Sequence, residues 1–432
     1  MTDTELILAI HDNLEDVAIK IVKTGLSNPG HVNNHNDTAL TLAINKLMPE
    51  LALELAKSGA ANINHRDSHG DCALILAIHR GMPEVALEIL KDGLCDVKFV
   101  NYHGDDPLTL ALNLEMPSVA IEILKSGRAN LLHVDNHKDS AIGIAIRFCY
   151  TEVIGYMFNY SEMNLSHVNE HGDTPLLLAI DYLLHNIALE IVYRGNCRLQ
   201  WVNDHGFTAL ILAISKEMPD VALEIIQRGD GKSNSHVDDN TDTALIYAIN
   251  SNMLDVANAL MDKGGCGVGH INKHGNSALI YAINNGYTNF ATRIIHSGQP
   301  NYQVITADNT SSLMLAIGNG MFELADWLIG QNYPGFNGHV NNEGDTALLL
   351  CIINGREDLA LKILRLGNSN YDVITKENDT SLLIAVHNEM YQLAKEIILL
   401  GDHKFIYHKN NFGFTAKDIA IVKGNQDIIS II

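Results

Sequence analysis

The chain has 432 residues, 47% of them hydrophobic, and 51 Asp and Glu against 29 Lys and Arg set its formal charge at −22. That acidity argues against nucleic acid as a partner, because phosphate neutralisation needs surplus Lys and Arg, and it suits basic partners. No apolar run of about 18 residues occurs and no basic segment precedes an apolar core at the start, so neither a membrane span nor a secretory signal is expected.

In chain order, the first predicted helices cover Glu5–His11 and Leu14–Lys23. A motif then returns: Thr38-Ala39-Leu40-Thr41-Leu42-Ala43-Ile44, Cys72-Ala73-Leu74-Ile75-Leu76-Ala77-Ile78, Thr208-Ala209-Leu210-Ile211-Leu212-Ala213-Ile214 and Thr346-Ala347-Leu348-Leu349-Leu350-Cys351-Ile352. Its second alanine slot recurs every 34 or 35 residues from Ala9 to Ala420. A fixed period of that size marks stacked repeats, each too small to bury its own apolar face.

Residues 203–229 serve as a specimen. Asn203-Asp204-His205-Gly206 reads as a turn, with Gly206 free to take positive φ. Thr208 suits a helix N-cap, and Pro107 and Pro175 stand at the first helical position of two other copies. Leu210, Ala213 and Ile214 form a buried stripe. A second helix opens at Met218-Pro219 and carries Val221, Ala222, Ile225 and Ile226 on its apolar side. Alanines such as Ala52, Ala86, Ala120 and Ala222 recur in these second helices, where a larger side chain would hold the next repeat away.

The segment Asn169-Glu170-His171-Gly172-Asp173-Thr174-Pro175-Leu176-Leu177-Leu178-Ala179 resembles the opening of an ankyrin repeat, and the resemblance extends over residues 4–432. There are departures. The family's His after Leu is absent, with Thr41, Ile75, Ile211 and Leu349 in its place, and its Gly-His before the second helix is mostly replaced by a pair ending in Met, as at Met48, Met82, Met218 and Met390. The style resembles repeat arrays of amoebal giant viruses or intracellular bacteria. The resemblance implies an all-α solenoid of about thirteen repeats in one domain, 1–432. Residues 1–30 would form an N-terminal cap, 31–407 eleven internal repeats and 408–432 a C-terminal cap, where Lys417 and Asp418 fill apolar slots. It further implies a monomeric protein-interaction scaffold, not an enzyme, that holds a protein or peptide partner on its concave face and acts on host proteins if viral or effector in origin. The alternatives are a substrate adaptor for a larger machine such as a ubiquitin ligase, and a self-associating structural element. Six cysteines without paired spacing (Cys72, Cys95, Cys149, Cys197, Cys266 and Cys351) point to an intracellular, cytoplasmic protein.

Residues 148–207 hold nine of the 26 aromatics. In this fold class binding falls on turn tips and first-helix ends, and aromatics and Arg most often dominate binding energy. Arg147, Phe148, Tyr150, Asp181, Tyr182, Trp201 and Phe207 are therefore the candidate partner-binding residues, while Tyr156 and Phe158 read equally well as core filling.

Fifteen of the 21 histidines fall in two columns. One stands before the turn (His31, His65, His133, His167, His236, His270, His339, His408) and one at its tip (His35, His69, His103, His137, His171, His205, His274). No metal is expected, because His31 and His35 flank a turn and adjacent repeats lie about 8–10 Å apart, against zinc–nitrogen bonds of about 2 Å. The first column is expected to pack or to bond turn carbonyls. Protonating all 21 would carry the charge from −22 to −1, which raises a pH response between 7 and 5 as a hypothesis. Gly229-Asp230-Gly231-Lys232-Ser233 looks like a phosphate loop but has Ile226 where glycine is required. No catalytic residue and no cofactor is expected.

Overall fold

The computed structural model describes residues 3–25, 27–91, 93–298, 301–332, 335–367, 369–400 and 403–432, apart from the side chains of residues 232–233 and 403–404. Tyr333 and Pro334 of the connector after Gly330 lie outside the described residues. The chain divides into two compact units, 1–228 and 229–432. Both are all-α. Among the described residues the first holds seven helix pairs, from Glu5–His11 with Glu15–Thr24 to Ala209–Ser215 with Pro219–Arg228. Among its described residues the second holds six, from Ala244–Asn250 with Leu254–Lys263 to Ala416–Lys423 with Gln426–Ile431, besides short turns of helix at Lys232–Ser235 and His403–Ile406. Extended structure among the described residues is confined to isolated bridges across the turns, such as Val32 with Thr38. No described helix is long and apolar enough to cross a membrane.

With one exception, the first helices start where the sequence supplies a cap. Thr208 has extended backbone and its hydroxyl accepts from the N–H of Ile211. Thr38, Ser140, Thr174, Thr243, Ser277, Ser311, Thr346 and Thr380 do the same, satisfying a donor the helix leaves open. Cys72 fills the slot without a side-chain bond.

The first helix ends abruptly because the second residue beyond it is left-handed. Leu47 (φ 57°), Glu115 (56°), Cys149 (55°), Leu183 (57°) and Glu217 (56°) adopt this conformation without being glycine. The following N–H reaches back into the helix, as Met48 does to the carbonyl of Ala43 at 2.9 Å. L-residues lose about 1–2 kcal/mol in that region. What compensates is visible one residue on: Met48 and Met218 are buried between the two helices.

Leu40, Ala43, Ile44, Leu51, Ala52 and Leu55 are fully buried, and so are their counterparts up to Ile214 and Val221. Each large apolar side chain removed from water contributes roughly 1.5–3 kcal/mol before entropy is counted. Ala52, Ala86, Ala120, Ala188 and Ala222 have no exposed surface, so neighbouring second helices approach closely, as expected. In the last pair Asp418 closes a capping box with Thr415, while Phe412, Phe414, Ile421 and Val422 are exposed.

Candidate functional site

Most turn tips are framed by one Asn or Asp, and two are framed by a threonine, Thr306 or Thr375, whose hydroxyl accepts from the N–H four residues on. Asn33 Oδ1 accepts from the backbone N–H groups of His35 (2.9 Å) and Asp37 (2.8 Å). Asp67, Asn101, Asp135, Asn169 and Asn203 repeat this in the first unit, and Asp238, Asn272, Asn341 and Asn410 in the second. Where the residue is Asn, its amide can also bind sideways. Asn101 donates to Asp71 (2.7 Å), Asn203 to Asp173 (2.9 Å), Asn272 to Asp242 (2.7 Å) and Asn410 to Asp379 (3.0 Å). These four bonds each tie a tip to the one before. The ladder sits deep enough that burial raises the carboxyls of Asp37 and Asp173 above the ordinary range, with Asp67 adding repulsion at Asp37.

The first histidine column supplies a second tie. His65 Nε2 lies 2.8 Å from the carbonyl of Asn36, His133 2.9 Å from Gly104 and His167 2.6 Å from Lys138. In the second unit His270, His339 and His408 reach Thr241, Asn309 and Asn378. Every acceptor is the left-handed residue of the preceding tip. A carbonyl only accepts, so Nε2 carries the proton, and it donates whether the ring is neutral or charged. Protonation therefore leaves this column's bonds in place. The tip histidines are exposed. Among the described residues no group of three His, Cys, Asp or Glu is placed to hold a metal.

The sequence-predicted site residues fall into three places. Arg147, Phe148 and Tyr150 come together: the two rings stack at 5.6 Å with 13° between planes, and the Arg147 guanidinium lies 5.5 Å from the Phe148 centroid. Arg147 also holds the nearly buried carboxylate of Asp139 at 2.7 Å. Asp181 pairs with Lys216 at 2.8 Å, beside Tyr182, which is 40% exposed. Trp201 and Phe207 belong to the tip. Trp201 stands in the slot held by His133 and His167, and its indole N–H donates to the carbonyl of Gly172 at 2.7 Å. Phe207 takes the slot of Asp173 and is half-buried. Tyr156, on a second helix, and Phe158, its C-cap, lie under Lys125 (5.8 Å) and Arg194 (4.9 Å).

The sequence reading passed over a groove in the second unit. It lies between the first helices Ser381–His387 and Ala416–Lys423, encloses about 440 Å³, and is lined by Leu383, Ile384, Phe412, Phe414, Ile419 and Val422 with Asp379 and Lys423 at its edges. The signal was positional. Phe412 fills the tip slot of His274, Phe414 that of Asp379 and Val422 that of His387, so three polar slots turn apolar together.

Residues 225–308 match the family model described as ankyrin repeats (3 copies). Among solved structures the chain is similar to the crystal structure of EF0377, an ankyrin repeat protein, at 23% identity and a TM-score of 0.36, over 43% of this chain and 95% of that one. No curated protein matches.

Proposed function

We propose that this chain, an ankyrin repeat protein, works as a binding scaffold: it holds a protein partner on the face built from its turn tips and first-helix ends. Ankyrin repeats are generally protein–protein interaction modules and typically not enzymes. The observation that carries the reading is the Phe148–Tyr150 stack, with half-exposed Tyr182 at the matching slot one repeat on, set beside tips already fixed by their own hydrogen bonds. A frame that needs no ordering on binding loses less entropy, and rigid aromatics give contact area at little conformational cost.

The partner is a protein or peptide segment with basic character, given the formal charge of −22. We place the activity inside a cell, a host cell if the chain is viral or effector in origin; unpaired thiols, four of the six buried, suit that setting. Affinity capture on the intact chain, repeated with Phe148→Ala and Tyr182→Ala, tests the reading. At least one captured protein is lost with each substitution while the melting temperature holds; an unchanged set of captured proteins refutes the assignment.

A further inference from the structure

We propose that the groove between Ser381–His387 and Ala416–Lys423 takes an extended peptide segment of a partner protein, seating an apolar side chain on Phe412, Phe414 and Val422 with an Arg or Lys beside it at Asp379. This rests on the reading of the chain as a binding scaffold and adds a second site to it, in the other unit.

Three observations carry it. The apolar surface is substantial and lies on the binding side of the repeat: Phe412 is 80% and Val422 79% exposed, although both replace polar residues of other repeats. Isolated exposed apolar residues are ordinary, but a cluster around a groove marks an interaction site. The groove is walled by two helices, yet its rim stands in solvent, a form that admits a chain passing through rather than an enclosed small molecule. The charge is one-sided. Glu343, Asp345, Glu377 and Asp379 occupy the tips leading to the groove. Of the cations near them, Lys376 pairs with Glu343 and Lys423 with Glu389 at 2.9 Å, while Lys409 on the last tip acts on Asp418. The remaining carboxylates favour a cationic neighbour for the anchor.

The test is selection of a random dodecapeptide library on the intact 432-residue chain, with V422E and F412S as parallel targets. Both side chains are exposed, so neither substitution removes core packing, and thermal melts confirm the fold. The expected result is enrichment of peptides with an apolar residue next to Arg or Lys, binding roughly tenfold or more weakly to both variants. Hydrogen exchange should show protection by such a peptide within residues 379–423. Enriched peptides that are acidic around the apolar residue would overturn the assigned chemistry. Enriched peptides that ignore Val422 and Phe412 but are lost on Phe148→Ala would overturn this site and leave the scaffold reading standing. No enrichment on the wild-type chain would overturn the proposal.

Discussion

Trp201 donates its indole N–H to the carbonyl of Gly172 at 2.7 Å, across the repeat boundary and in the slot where His133 and His167 make the same bond. An aromatic residue that reads as a binding anchor is thus also a fastener between tips. Trp201→His should keep the bond and leave stability nearly unchanged. Trp201→Phe removes the donor, strands the Gly172 carbonyl and should cost about 1 kcal/mol in urea denaturation. Equal stability of the two variants would show that the bond contributes nothing.

Asp106 is a buried carboxylate that N-caps the helix opening at Pro107. Its Oδ1 accepts from the N–H and hydroxyl of Thr109, while Oδ2 has no partner. Burial raises its pKa. A raised carboxyl makes ionisation unfavourable in the native state, and that penalty is present above the folded pKa and lifts as pH falls through it. Thr174 before Pro175 shows that threonine fits the same slot. Asp106→Thr should therefore raise stability at pH 7 by about 1 kcal/mol, with the gain shrinking on acidification. A gain that grows toward low pH would contradict this account.

Leu47 and Leu183 are exposed and left-handed. Replacing each by glycine relieves about 1–2 kcal/mol of backbone strain against about 0.5–1 kcal/mol of added unfolded-state freedom. The melting temperature should rise with each substitution and further with both. A fall would mean that the leucine side chains make contacts worth more than the strain.

Arg147 binds Asp139 at 2.7 Å, and the carboxylate is nearly buried. Arg147→Ala leaves that charge unpaired and should destabilise the protein by about 1–3 kcal/mol. Arg147→Lys keeps the charge but not the planar fork and should fall between. Phe148→Ala should move stability less than Arg147→Ala, which makes it the cleaner probe of binding. Calorimetry on the three variants gives the order directly.

Much of the fold could be read from residues. Thr208 announced a helix start, Gly206 the left-handed tip, and Ala52 and Ala222 the close approach of second helices, because each of these roles depends on local chemistry. The left-handed Leu47 and Leu183 were not legible, since nothing in leucine favours that conformation; at Leu47 the buried Met48 that follows imposes it. Asp139 as the partner of Arg147 was hidden for a different reason: the pair joins a tip to a helix end, and only folding brings them together. The Phe412–Val422 groove was legible in principle. It required comparing slots between repeats rather than reading the last repeat as a cap.

The account's central claim is that the tip and first-helix face holds a protein. The most direct measurement is affinity capture from native cells with the intact chain, Phe148→Ala with Tyr182→Ala, and Val422→Glu, each shown to melt like the wild type. The account predicts that at least one protein captured by the wild-type chain disappears with a substitution on this face. Identical captured sets for all three proteins would contradict it.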